Sequence, residues 1–148
     1  MISALFDKID SWIISFFRNT SVPFAKLAVF VIFFWFGLLK VLGQSPANSL
    51  VADLLESTLP FITFDQFIIF FGIFEMFIAV CFLLPKFERV AIFLLAMHMV
   101  TTFLPLVLLP EVTWQKAWVP TLEGQYIIKN LAIIGLAMGI AAHLHRRG

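Results

Sequence analysis

Four ionisable residues stand inside or at the ends of stretches otherwise too apolar to hold them: Lys40, Glu75, His98 and Lys129. Glu75 has the most extreme setting. The run from Phe67 to Leu84 (FIIFFGIFEMFIAVCFLL) holds no other charge, and at about 1.5 Å rise per residue it is as long as a bilayer core. A charged side chain near the middle of such a span costs about 2.5–3.5 kcal/mol even on translocon-insertion scales, which marks a functional position by default. Gly72, three residues back, and Ala79, four on, put Glu75 on a stripe of small residues. Such stripes are where membrane helices meet, so the carboxylate is expected to face protein. Lys129 is the first-choice partner for it and Lys40 the second. His98 shares a face with Thr101 and Thr102. The four groups, with Asn130 beside Lys129, are expected to line one outward-opening pocket. Lysine and histidine would donate hydrogen bonds to the carbonyls of a quinone or other small hydrophobic molecule, and Glu75 would relay protons.

All but Glu75 among the four ionisable residues also have a plainer reading. Lys40 and Lys129, near helix ends, can lift their ammonium groups to the membrane surface. His98 with its threonines can serve as hydrogen-bond glue between helices. Trp114 and Trp118 suit the aromatic belt at a membrane interface, with a lid over the pocket as the alternative.

The elements that must position these residues read as four spans, at about 24–41, 67–84, 90–109 and 125–143, in one membrane domain covering 1–148. Ile2, Leu5, Phe6, Ile9, Trp12, Ile13, Phe16 and Phe17 repeat at helical spacing opposite Asp7, Lys8, Asp10 and Arg18, which predicts an amphipathic helix over 1–20 lying in the interface. Pro23 is expected to open the first span. Residues 47–59 set Leu50, Val51, Leu54, Leu55 and Leu59 against Asp53 and Glu56, a second short amphipathic helix in the first outer loop. Asp65 is the expected N-cap of the second span. Pro105 is expected to kink the third, because it lacks a backbone donor. In the fourth, Ala132, Gly135, Gly139 and Ala142 form a ridge of small residues. The expected fold is all-α, an integral membrane four-helix bundle.

Composition agrees. The chain is 61% hydrophobic and 13% charged, with mean hydropathy +1.01, beyond the range of soluble domains. A net charge of +1 with no basic run argues against a nucleic-acid partner. Cys81 is the single cysteine, so neither an internal disulfide nor a thiol-shuttling pair can form. No metal, haem or flavin motif is present, and His143 and His145 read as part of a surface tail beside Arg146 and Arg147. Seven of the ten lysines and arginines fall on the N-terminal side of these spans and three (Lys40, Lys116, Lys129) on the other. By the positive-inside rule both termini are then cytoplasmic.

The order of these pieces resembles the DoxX-like family of small four-span membrane proteins, and within it the YkgB-type relatives associated with reactive-chlorine resistance. The matching residues are Gly37-x-x-Lys40, Gly72-x-x-Glu75, Thr101-Thr102 with Pro105, Ala117-Trp118-Val119-Pro120, and Gly124-x-x-x-x-Lys129-Asn130, spanning about residues 24–142. The resemblance implies a bacterial cytoplasmic-membrane protein linked to redox or stress chemistry. It would be either a subunit of a quinone-linked oxidoreductase, working with a redox partner protein or as a homo-oligomer, or a non-catalytic accessory or scaffold subunit. Two features depart from the family: relatives often carry Asp where this chain has Asn130, and thiol-based redox members need cysteine pairs.

Overall fold

The computed structural model describes residues 2–144, with side chains from Phe6 onward; Ile2 and Leu5 of the amphipathic pattern, and His145, Arg146 and Arg147, have side chains outside that description. Four helical segments are long and apolar enough to cross a membrane: Phe6–Val41, Phe64–Leu83, Glu88–Leu108 and Leu122–Ala142. The chain is therefore a helical, multi-pass membrane protein. Its outward surface is apolar, as Trp35, Phe70, Phe77, Phe93, Val100 and Met138 illustrate.

The first of these segments belongs to α1 (Ile2–Val41), one helix of 40 residues, about 60 Å long. The break expected at Pro23 is absent. Proline's fixed φ is compatible with a helix, and the carbonyl its missing N–H leaves without a partner belongs to the exposed Asn19. The remaining elements are α2 (Asn48–Thr58), α3 (Phe64–Leu83), α4 (Glu88–Phe103), α5 (Pro105–Leu108), α6 (Pro110–Thr113), β1 (Trp114–Lys116), β2 (Val119–Pro120), α7 (Leu122–Ile128) and α8 (Leu131–Ala142). In α2, Leu55 is buried while Asp53 and Glu56 are exposed, as its pattern predicts. Thr63, not Asp65, is the N-cap of α3, and Asp65 instead lies in the first turn, where a carboxylate complements the helix dipole.

The third apolar segment divides at Pro105 into α4 and α5. The fourth divides at Lys129–Asn130, where Asn130 N–H bonds Ile127 O and Ala132 N–H bonds Lys129 O. These bonds span three residues rather than four, a local tightening of the helix. The connection between the third and fourth spans contains a two-stranded antiparallel hairpin, with Trp114 opposite Pro120 and Lys116 opposite Val119.

Packing centres on α1 against α3, with α4 on α3 and α8 closing against α1 and α4. Val29, Phe33, Ile78, Phe82, Leu95 and Ile140 form the core, together with the buried Cys81. Beyond it a second knot gathers around Thr113, which is fully buried and whose hydroxyl donates to Leu109 O at 2.9 Å. Thr121 N–H bonds Thr113 O, and Thr121 Oγ1 caps α7 by accepting from Gly124 N–H. Gly124 is required there, because a Cβ would strike the Thr113 carbonyl oxygen.

Candidate functional site

Lys40, Glu75 and His98 come from three different helices and meet. The approach starts with two glycines. A Cβ built on Gly37 would lie 2.5 Å from Gly72 O and 3.1 Å from Glu75 Cβ, and one on Gly72 2.6 Å from Gly37 O and 3.0 Å from Lys40 Cβ. Gly37 thus faces Glu75, and Gly72 faces Lys40, in antiparallel register. Each glycine vacates the space that the ionisable residue of the other helix enters. Lys40 and Glu75 are then offset along the axis by three residues, about 4.5 Å. Side chains on a helix lean toward its N-terminus, so on antiparallel helices these two lean toward each other.

Lys40 Nζ donates to Glu75 Oε2 at 2.6 Å, and His98 Nε2 lies 2.9 Å from Glu75 Oε1. An ionised carboxylate only accepts, so Nε2 carries a hydrogen. The three residues are 6%, 5% and 6% exposed, so they bond chiefly to one another. Aromatic rings supply the walls. Phe71 stacks on His98 at 5.0 Å between centroids and a 7° interplanar angle, and Phe33 meets the ring edge-on at 5.1 Å. The Lys40 ammonium also lies 5.5 Å from the Phe71 centroid, within range of a cation–π attraction. Behind the imidazole, Thr102 Oγ1 is 3.1 Å from His98 Nδ1. The chemical result is a row of three titratable groups, hydrogen-bonded in series and enclosed by apolar side chains.

Two of the residues expected in this cluster lie elsewhere. Lys129 is exposed and sets its ammonium 3.7 Å from the centroid of Tyr126, three residues back on its own turn. Asn130 donates to Tyr126 O at 3.3 Å. Glu75 therefore pairs with Lys40, the second choice, and the reason is register: the Gly37–Gly72 approach places Lys40 within a stem's length. Trp114 donates from Nε1 to Leu106 O and fastens the hairpin to α5. Trp118 sits at the hairpin turn with φ 65°, 91% exposed, and closes over nothing. Sequence reasoning missed Phe33 and Phe71 as the walls. The signal was present in spacing, since Phe33 is seven residues before Lys40 and Phe71 four before Glu75, on the same helical faces.

No family model, curated protein or solved structure matches the chain.

Proposed function

We propose that this chain is a DoxX-like, redox- or stress-associated protein of the bacterial cytoplasmic membrane, whose Lys40–Glu75–His98 row handles protons for a quinone or other small hydrophobic molecule. It is an integral four-helix bundle with both termini in the cytoplasm, an orientation that a reporter fused at either end reads directly. The observation that carries the reading is the row itself: three groups able to gain or lose protons, bonded in series in an apolar interior. Such groups are costly inside a membrane and cluster on proton and substrate paths. An apolar groove of about 490 Å³ runs beside α4, lined by Met99, Val100, Phe103 and Ile134 among others, and suits a hydrophobic molecule. Met99 and Phe103 directly follow His98 and Thr102 in the chain. Electrons would come from a redox partner protein; a homo-oligomer is the alternative assembly and would need the same outside source of electrons.

A second reading, a non-catalytic accessory or scaffold subunit, has one observation in its favour. Both Glu75 carboxylate oxygens are already engaged by side chains of this chain. Glu75→Gln separates the two readings, because an amide keeps the shape and hydrogen-bonding atoms but neither titrates nor carries charge. That change alone leaves the Lys40 charge unbalanced, so Lys40→Met/Glu75→Gln is measured beside it. The purified parent is expected to bind or change absorbance on titration with a soluble quinone, and both variants are expected to accumulate but to lose that response. A double variant that responds to quinone like the parent would make the row structural and favour the scaffold reading.

A further inference from the structure

Thr102 has one hydroxyl hydrogen and two acceptors within reach: His98 O at 3.0 Å and His98 Nδ1 at 3.1 Å. The carbonyl does not depend on it, because Thr101 Oγ1 already donates there at 2.7 Å. Two complete hydrogen-bond arrangements therefore share one set of heavy-atom positions. With His98 neutral, Nε2–H donates to Glu75 and Nδ1 accepts from the Thr102 hydroxyl. With His98 doubly protonated, Nε2–H still donates to Glu75, Nδ1–H donates to Thr102 Oγ1, and the Thr102 hydroxyl turns to the carbonyl.

We infer that Thr102 is a positioning residue that lets His98 take up and release a second proton by rotation of one hydroxyl, making His98 the proton-loading member of the row. This deepens the proton-handling reading and rests on it. Loading is the addition of one proton from solvent to Nδ1, and the row passes from Lys40⁺ Glu75⁻ His98 to Lys40⁺ Glu75⁻ His98⁺. The groups facing the imidazole are Glu75 from α3, with Lys40 of α1 behind it, and the uncharged rings of Phe33 and Phe71. Neither α5 nor α8 contains a titratable residue, and Glu123 of α7 and Lys129 following it are exposed. On α4 itself, Glu88 and Arg89 are ten and nine residues away, roughly 15 and 14 Å along the axis.

The test is ¹⁵N-histidine NMR of the purified protein across pH, without quinone, with His98→Gln to assign the signal. A hydrogen bond to a charged donor is stronger than one to a neutral group, so losing the Thr102 oxygen weakens the cationic form more. In Thr102→Val the His98 midpoint is expected to fall by about one pH unit, a tenfold loss of proton affinity. Thr102→Ser is expected to titrate like the parent. Should Thr102→Val not accumulate, Thr102→Ala supplies the same comparison. A parent His98 that stays in one protonation state throughout, or a valine or alanine variant that titrates like the parent, would overturn the inference. Because the readout contains no quinone, that failure is distinct from a failure of the quinone reading.

Discussion

Two lysine–glutamate pairs tie α1 to its neighbours, and they differ chiefly in access to water. Lys26 Nζ lies 2.9 Å from Glu88 Oε1 with the two side chains 24% and 16% exposed. Lys40 Nζ lies 2.6 Å from Glu75 Oε2 with the side chains 7% and 6% exposed. The first joins α1 to the opening turn of α4, where either partner can be rehydrated if the other is lost. Pairs of that kind contribute about 0–1 kcal/mol. The second lies in the interior, where a charge without its partner has nothing to turn to. There the loss of one partner costs about 3–5 kcal/mol, although the intact pair adds little net stability. Geometry is nearly the same in both; surroundings decide which pair the fold can do without.

The largest effect should come from removing one interior partner. Glu75→Ala is expected to destabilise the detergent-solubilised protein by about 3–5 kcal/mol, while Lys40→Ala/Glu75→Ala recovers part of that loss. Equilibrium unfolding of the four proteins in the cycle measures the coupling. An additive Lys40–Glu75 cycle beside a coupled Lys129–Glu75 cycle would break the assignment of Lys40 as partner.

A middle-sized effect is expected from Gly37→Val, which pushes a branched side chain into Gly72 O and the Glu75 stem. Overpacking of this kind costs about 1–3 kcal/mol. Here it should also part Lys40 from Glu75, so a following Lys40→Ala change should cost less in the Gly37→Val background than in the parent. An undiminished cost would mean that the pair does not need the glycine crossing.

The smallest effect is expected at the more exposed pair. Lys26→Ala should shift stability by no more than about 1 kcal/mol, and salt should narrow the difference from the parent. A loss as large as that of Glu75→Ala would show that the Lys26–Glu88 pair is shielded as fully as the interior one, and the contrast would fail.

Much of the architecture was legible because it follows from local composition. A stretch of about twenty apolar residues must satisfy its own backbone hydrogen bonds in a bilayer, and a helix does this within the segment. Glu75, Lys40 and His98 stood out by the same logic, as ionisable groups where the composition admits few. The exposed acidic face and buried Leu55 of α2 followed from periodicity alone. The continuity of α1 through Pro23 was not legible, since proline signals a boundary and only the helix as a whole decides whether it is obeyed. The 114–120 hairpin was equally hidden, because strands this short have no periodicity to read and depend on their anchorage to Thr113 and Leu106.

By itself the sequence determined that this chain is helical and apolar enough to cross a membrane several times, and that a carboxylate sits in the middle of one span. Both follow from the cost of putting peptide groups or charges into hydrocarbon, a cost each residue carries regardless of its neighbours. Which lysine meets that carboxylate was decided only by tertiary structure. Lys40 and Lys129 are equivalent as lysines near helix ends, and what separates them is that Gly37 and Gly72 let two backbones approach closely in one register. Register is a property of two helices together, and neither segment contains it alone.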